Sequence, residues 1–430
     1  MGKRAFRSLL VALAAVSIAF LPLLGRPVHA ATSSTGTLFG VTQSQHLVKV
    51  DPSSGSLTLV ADLNTPNSPQ IVELASDPTT RKLYAERVST IGFDPNGFPI
   101  FALNLLTIDS QTGAILAQPQ LTAVAQSLVF DTASHTLFGF DFQTGDIVKV
   151  DPNTAAVTPF ATVPVGSGTF IDNLAGTSST HTLYLAAENI SFPPVTNTPT
   201  QIFSIDTLTA QVSTGVVLDS PVRQIVADGP SLFGIRDDNL DMLAINLTTG
   251  STSFVASARY SAESFFPAGP TVDPTTHTVF VASSAFDPVL GFQTHVLAIN
   301  DQTGTTTASG AFNEFLTQFI FEAAPPITPQ TIKSDVRSAL ATGAIDSAGV
   351  ANSLLAKLNA AADARSTTVA SVSGARTGSG CKVAANLYQA FIREVMAQSA
   401  SRASGVRPHI APATASELIG EAKFLIANCP

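Results

Sequence analysis

Ser134-His135-Thr136-Leu137-Phe138-Gly139-Phe140-Asp141-Phe142-Gln143-Thr144-Gly145-Asp146-Ile147-Val148-Lys149-Val150-Asp151 is the stretch whose reading decides the fold. It holds an apolar-aromatic strand, a short turn, and a second strand that ends in Asp. The unit recurs six times. Its first strands centre on Leu38-Phe39-Gly40, Leu83-Tyr84-Ala85, Leu137-Phe138-Gly139, Leu183-Tyr184-Leu185, Leu232-Phe233-Gly234 and Val279-Phe280-Val281. Its second strands end at Asp51, Asp109, Asp151, Asp206, Asn246 and Asn300. Strands and turns repeating at this period mark a β-propeller.

Further apolar runs complete each unit. Ile71 to Leu74, Ser127 to Phe130, Asn173 to Ala175, Gln224 to Ala227 and Pro270 to Val272 precede five of the pairs. Runs such as Leu57 to Val60 and Val157 to Phe160 follow them, giving four strands per blade. The first blade lacks a leading strand, and Leu316 to Phe321 is spare at the far end. Pairing the two predicts a ring of six blades closed by a three-plus-one clasp, which removes the open sheet edges. The fold class is mainly β: a six-bladed β-propeller with a small, four-helix C-terminal α-helical domain. By analogy with known propellers, the chain leaves the closing strand on the face away from the usual binding site, so the tail attaches there.

Successive Asp/Asn markers lie 58, 42, 55, 40 and 54 residues apart. The surplus falls between the second and third strands of blades two, four and six. These loops contain Phe93-Asp94-Pro95-Asn96-Gly97-Phe98, Phe192-Pro193-Pro194, and Phe286-Asp287-Pro288 continuing to Phe292. Propeller geometry puts all three on the binding face. Phe93, Asp94, Asn96, Phe98, Phe192, Phe286, Asp287 and Phe292 are therefore the candidate ligand-binding residues, since aromatic tips on turn-rich loops suit contact with a partner. The structural alternative is that these rings fold back and plug their own blades.

Residues 1–30 read as a signal peptide. Lys3, Arg4 and Arg7 precede an apolar run from Leu9 to Leu24, and Val28-His29-Ala30 forms a small-residue cleavage site. No later run has the ~20 uninterrupted apolar residues of a membrane helix. The expected location is secreted or periplasmic. Residues 31–325 form the propeller and 326–430 the helical domain. From 31 to 327 there are eight Lys/Arg against 25 Asp/Glu, and from 328 to 430 ten against six. An acidic propeller repels phosphate backbones, which argues against nucleic-acid binding.

After Pro325-Pro326 the pattern changes to Ala-rich segments of 3.6 period. Thr328-Pro329 opens a helix through Ile332, Val336 and Leu340 that ends at Gly343. A second helix opens at Asp346 with Val350, Leu354, Leu355 and Leu358. A flexible connection follows over 366–380. The third helix runs from about Cys381 through Leu387, Phe391 and Val395. Thr414 and Glu417 have capping-box spacing and open the fourth. Cys381 and Cys429 are the only cysteines. An antiparallel pair of helices brings them together, and in an exported chain they are a candidate disulfide.

Val350-Ala351-Asn352-Ser353-Leu354-Leu355-Ala356-Lys357-Leu358 and Tyr388-Gln389-Ala390-Phe391-Ile392-Arg393-Glu394-Val395 resemble the FIMAH-type helical domain at the C-terminus of many exported bacterial proteins. That resemblance implies an extracellular accessory module with no assigned catalytic residues. The strand-turn pattern is similar to exported bacterial propellers with NHL, YVTN or gluconolactonase-like repeats. The gluconolactonase-like class implies a central divalent cation held by Glu and Asn or Asp. Glu73, Asp172, Asn173, Glu263 and Glu314 lie on or near inner strands, though no spacing singles them out.

His135, His181 and His277 occupy one repeated hairpin position, as does Arg81, and read as turn residues. Asp77, Asp131, Asp228 and Asp273 end the inner strands beside those turns and read as Asx-turn formers. Asp237, Asp238 and Asp241 offer carboxylates to a hard cation such as calcium, or belong to a solvated hairpin. No Gly-x-Ser-x-Gly elbow is present. Two functions stay open. The first is a non-enzymatic exported binding protein whose partner is a protein or extracellular polymer. The second is a metal-dependent hydrolase or lactonase of the six-bladed propeller class.

Overall fold

The computed structural model describes residues 36–64, 70–165, 169–177, 179–189, 199–236, 238–261, 265–324, 327–369, 379–400 and 408–427. The expected leader, Phe192, Asp237, Glu263 and Cys429 lie outside these residues.

Strands β1 (Gly36–Thr42), β2 (His46–Val50) and β3 (Leu57–Asp62) begin the first blade. Blade two holds β4 (Gln70–Asp77), β5 (Lys82–Phe93), β6 (Pro99–Asp109) and β7 (Ile115–Ala117). Blade three holds β8 (Gln126–Asp131), β9 (Thr136–Asp141), β10 (Asp146–Val150) and β11 (Val157–Thr162). Blade four holds β12 (Thr169–Thr177), β13 (Thr182–Asn189), β14 (Thr200–Asp206) and β15 (Val216–Val217). Blade five holds β16 (Gln224–Asp228), β17 (Ser231–Ile235), β18 (Asp241–Ile245) and β19 (Thr252–Ser257). Blade six holds β20 (Phe265–Asp273), β21 (Thr278–Asp287), β22 (Gly291–Asn300) and β23 (Thr306–Ala308). Finally β24 (Leu316–Ala323) pairs antiparallel with β1, setting Phe321 opposite Leu38. Among the described residues these strands make six four-stranded sheets, and the order β24-β1-β2-β3 is the predicted clasp.

Alternation along each strand explains why the blades stack. Successive side chains point to opposite faces of a sheet. Leu183 and Leu185 accordingly pack with Phe138 and Ile147 of blade three, while Tyr184 and Ala186 pack with Ile225 and Leu232 of blade five. Equivalent clusters fill the other junctions, so the propeller core is a ring of between-blade cores.

The repeated Asp/Asn markers set the turns on the outer strands. Asp109 Oδ1 accepts from the Thr112 N–H at 2.7 Å, and Asp206 Oδ1 from Leu208 and Thr209 at 2.8 Å each. Asn246 does the same for Thr248 and Thr249. The turn then needs a left-handed residue, supplied by Gly250 at φ 75°. A Cβ there would stand 2.0 Å from the Val217 carbonyl oxygen of the neighbouring blade. Gly250→Ala is therefore expected to cost about 1–3 kcal/mol. Urea denaturation measures it, and an unchanged midpoint would refute the close approach.

Four helices follow β24: α1 (Pro329–Ala341), α2 (Ala348–Val369), α3 (Ser379–Ser399) and α4 (Pro412–Ala427). Thr328 caps α1 with Thr331 in a reciprocal box, and Thr342 closes it before Gly343. Ile332, Val336, Leu354, Leu358, Phe391 and Leu418 share one core, as their 3.6 period requires. Two boundaries differ from expectation. Helix α4 starts at Pro412, because Pro is tolerated in a first turn, so Thr414 lies inside the helix instead of capping it. Helix α2 continues through Val369, since the Ala-rich run sustains helix into the expected connection. No described helix is long and apolar enough to cross a membrane.

Candidate functional site

Strands alternate in direction within each blade, so all hairpins between second and third strands share one face, here the upper. Hairpins between innermost and second strands share the lower face. The β5–β6 and β21–β22 hairpins extend the upper face well beyond the shorter blades. Their tips are built by Asx turns. Asp94 Oδ1 accepts from Asn96 at 2.9 Å and Phe98 at 2.8 Å. Asp287 Oδ1 accepts from Val289 at 2.7 Å and Leu290 at 2.9 Å. Asp94, Asn96 and Asp287 thus form the scaffold, and the aromatic residues beside them are presented outward.

Phe93 and Phe98 are 68% and 67% exposed, and Phe286 and Phe292 are 53% and 44% exposed. These rings do not plug their blades. Phe286 and Phe292 meet edge to face at 5.4 Å across their hairpin. The sequence reading missed Ile91, Phe101, Val289 and Leu290, which are exposed beside them. Alternation over the paired hairpins held that signal, because residues beyond the reach of a neighbouring blade have no core on either face. Phe142 adds an exposed ring on the short upper hairpin of blade three.

Below this rim, the six innermost strands enclose a cavity of about 530 Å³. Glu73, Gln224 and Gln318 give its wall polar character. Glu73 and Gln318 tie blades together, whereas Gln224 Oε1 is buried without a hydrogen-bond partner. Glu73 accepts from the Ser127 and Leu128 backbone N–H groups of blade three, and burial pushes its carboxyl up to about 7. Asn173 donates to the Ile225 carbonyl at 3.0 Å and accepts from the Ile225 N–H at 2.9 Å. Gln318 donates to the Val72 carbonyl at 2.6 Å. The side chain of Asp172 falls outside the described ones, and Glu314 is half-buried just ahead of β24. Glu73 and Asn173 therefore serve neighbouring backbones, and among the described residues no group of three metal-ligating side chains forms in the channel.

The calcium candidates also separate. Asp238 takes both Nε and Nη2 of Arg236, at 2.9 and 2.5 Å, whereas Asp241 accepts from the Asn239 amide at 2.7 Å. Asp238 and Asp241 are each satisfied by their own hairpin.

On the lower face the repeated His position behaves as a turn residue, with φ between 49° and 53° at His135, His181 and His277. Asp77, Asp131 and Asp273 close Asx turns with Thr79, Ala133 and Thr275. Asp228 does not follow them. Among the described residues, the group of three metal-ligating side chains within reach of one another is Asp228, His277 and Asp301. Linear reading placed Asp228 and His277 in separate repeats. It missed that the end of one blade's inner strand abuts the hairpin of the next.

The lower face also receives the helices. Arg81, on the β4–β5 hairpin, donates from Nη1 to Asp335 of α1. Glu322 and Glu421 share the field of the same guanidinium.

No family model and no curated protein matches the chain. Among solved structures, one described as the crystal structure of a nidogen/laminin complex is 10% identical at a TM-score of 0.48. The match covers 67% of this chain and 99% of that one. Kuenenia stuttgartiensis hydrazine synthase is 14% identical at 0.39, covering 58% and 68%. The propeller assignment rests on the strand order above.

Proposed function

We propose that this chain is an exported, non-enzymatic binding protein whose upper propeller face recognises a protein or extracellular polymer. The observation that carries this reading is the set of exposed rings at Phe93, Phe98, Phe286 and Phe292, held out on Asx-turned hairpins from blades two and six. Rigid aromatic tips bury large apolar area on contact at small entropic cost. An exposed apolar group of this kind marks an interaction surface. In the channel, Glu73, Asn173 and Gln318 are engaged in blade-to-blade hydrogen bonds. The helical bundle is the accessory module of this arrangement, anchored on the lower face and so leaving the rim free.

Export is part of the proposal. It draws on the residue 1–30 leader pattern, and the pairing of Cys381 with Cys429 belongs with it. Recovery of a chain beginning at Ala31 outside the cytoplasm would support it, and an intact Met1 start in the cytoplasm would end it.

The face is tested with Phe93→Ser, Phe98→Ser and Phe286→Ser combined. Wild type and variant are cross-linked in parallel to extracellular fractions of the native source. The expected result is an adduct formed by wild type and reduced at least tenfold in the variant at unchanged melting temperature. Equal adducts from both proteins would sink the upper-face reading.

A further inference from the structure

On the lower face, the junctions leading into blades two, four and six repeat one arrangement. An acid at the end of the inner strand (Glu322, Asp131 or Asp228) lies beside the next blade and the residue that follows that blade's third strand. A backbone bond fixes the correspondence: Ser110 donates its N–H to Arg81 at 3.0 Å, Thr207 to His181 at 2.9 Å, and Asp301 to His277 at 3.0 Å. At the junction of blades three and four, the Thr207 hydroxyl donates to Asp131 at 3.3 Å and satisfies it. The junction of blades five and six departs from this pattern twice.

First, Asp301 stands where the equivalent junctions have Ser110 and Thr207. A hydroxyl donor has become a second carboxylate, facing the first. Second, Asp228 is free of its own turn. The residue two beyond it is Pro230, which has no N–H for an Asx turn. Its Oδ2 lies instead 2.5 Å from His277 Nδ1. Asp228 and Asp301 are only 7% and 9% exposed. Asp301 Oδ2 is buried with no hydrogen-bond partner. Two buried carboxylates side by side either share a proton or hold a cation between them, and the imidazole of His277 completes a ligand set for the second.

We propose that Asp228, His277 and Asp301 form a divalent-cation site of the zinc class that clamps blade five to blade six. One ligand atom from each lies within 4.8 Å of the others. A cation at their centre would need side-chain shifts below about 1 Å to reach Zn–O and Zn–N distances of ~2.0–2.1 Å. One imidazole and two carboxylates suit Zn²⁺, Co²⁺ or Mn²⁺. They are too few and too nitrogen-rich for Ca²⁺, which takes about 6–8 oxygens. The His277 side chain is 44% exposed, so the outer side is open to water as a fourth ligand. The site differs from the channel and from the 237–241 hairpin, and it does not depend on the upper-face reading.

The test is a titration of the metal-stripped full chain with Zn²⁺ by calorimetry, and with Co²⁺ by visible absorption. One saturable equivalent is expected, with a rise in melting temperature. Asp301→Ser restores the residue that Ser110 supplies at an equivalent junction, so it should fold while binding at least 30-fold more weakly. His181→Ala, the matching histidine of another junction, should bind like wild type. Absence of saturable binding by either metal would overturn the proposal. So would binding that Asp301→Ser leaves unchanged.

Discussion

Replacing Arg81 by Met is expected to cost about 3–5 kcal/mol and to release the helical bundle from the propeller. The Arg81 and Asp335 side chains are 12% and 6% exposed, so their pairing is screened by little water. Glu322 and Glu421 lie close enough to feel the same positive charge. Without it, the Asp335 carboxylate is left buried beside two further acids. The penalty comes from that uncompensated charge more than from the lost bond itself. Chemical denaturation of Arg81→Met measures the loss, and limited proteolysis near 324–328 reports release. The double variant Arg81→Met/Asp335→Leu should recover most of the stability, because it removes both charges together. A loss under about 1 kcal/mol in the single variant would place this pair with ordinary exposed ion pairs.

Arg81 also shows how far the sequence could be read. The propeller was legible because its physics is local and repeated: alternation, turn-forming Asp or Asn, and a strand missing at one end and spare at the other. The docking side of the helices was legible through the closing strand and the analogy with known propellers, since β24 ends on the lower face. Arg81 itself read as one more hairpin residue. Its partner lies 254 residues away, and no local pattern carries that information. The same limit hid the Asp228–His277 meeting across a blade junction. At the rim, Phe93, Phe98, Phe286 and Phe292 could be named, whereas their outward direction could not. Direction depends on hairpin length beyond the neighbouring blade. Asp94, Asn96 and Asp287 appeared with them as contacts because a turn-forming carboxylate and a ligand-binding one look alike in sequence.

The second large effect is on pH. Stability should fall as pH rises from 5 and level off above about 8, once the raised carboxyls have titrated. Burial and the Glu73 charge push the Glu86 carboxyl up to about 8, and its Oε2 has no partner. Burial pushes Glu73 and Glu322 up to about 7, the latter against the pull of Arg81 and Lys49. Burial and the Asp335 charge push Glu421 up to about 8. In the unfolded chain each Glu titrates near its ordinary ~4.3. Between that value and 7–8 the folded state holds more protons than the unfolded one. The stability these groups contribute is complete below the unfolded value and is lost as pH passes through the folded values. Asp51 works in another window. Its bonds to Ser53 and Ser54 hold it at about 2, so its contribution fades only under acid conditions. Each raised Glu costs on the order of 1.4 kcal/mol per pH unit in its window. A drop in melting temperature of about 5 °C or more from pH 5 to 9 is therefore expected. Glu86→Gln keeps the neutral shape and should flatten the curve, matching wild type at pH 5 and exceeding it at pH 9. Glu421→Gln should do the same for bundle release in Arg81-intact protein. A flat or rising wild-type profile, or a Glu86→Gln curve parallel to wild type, would mean that these carboxylates are not held neutral in the fold.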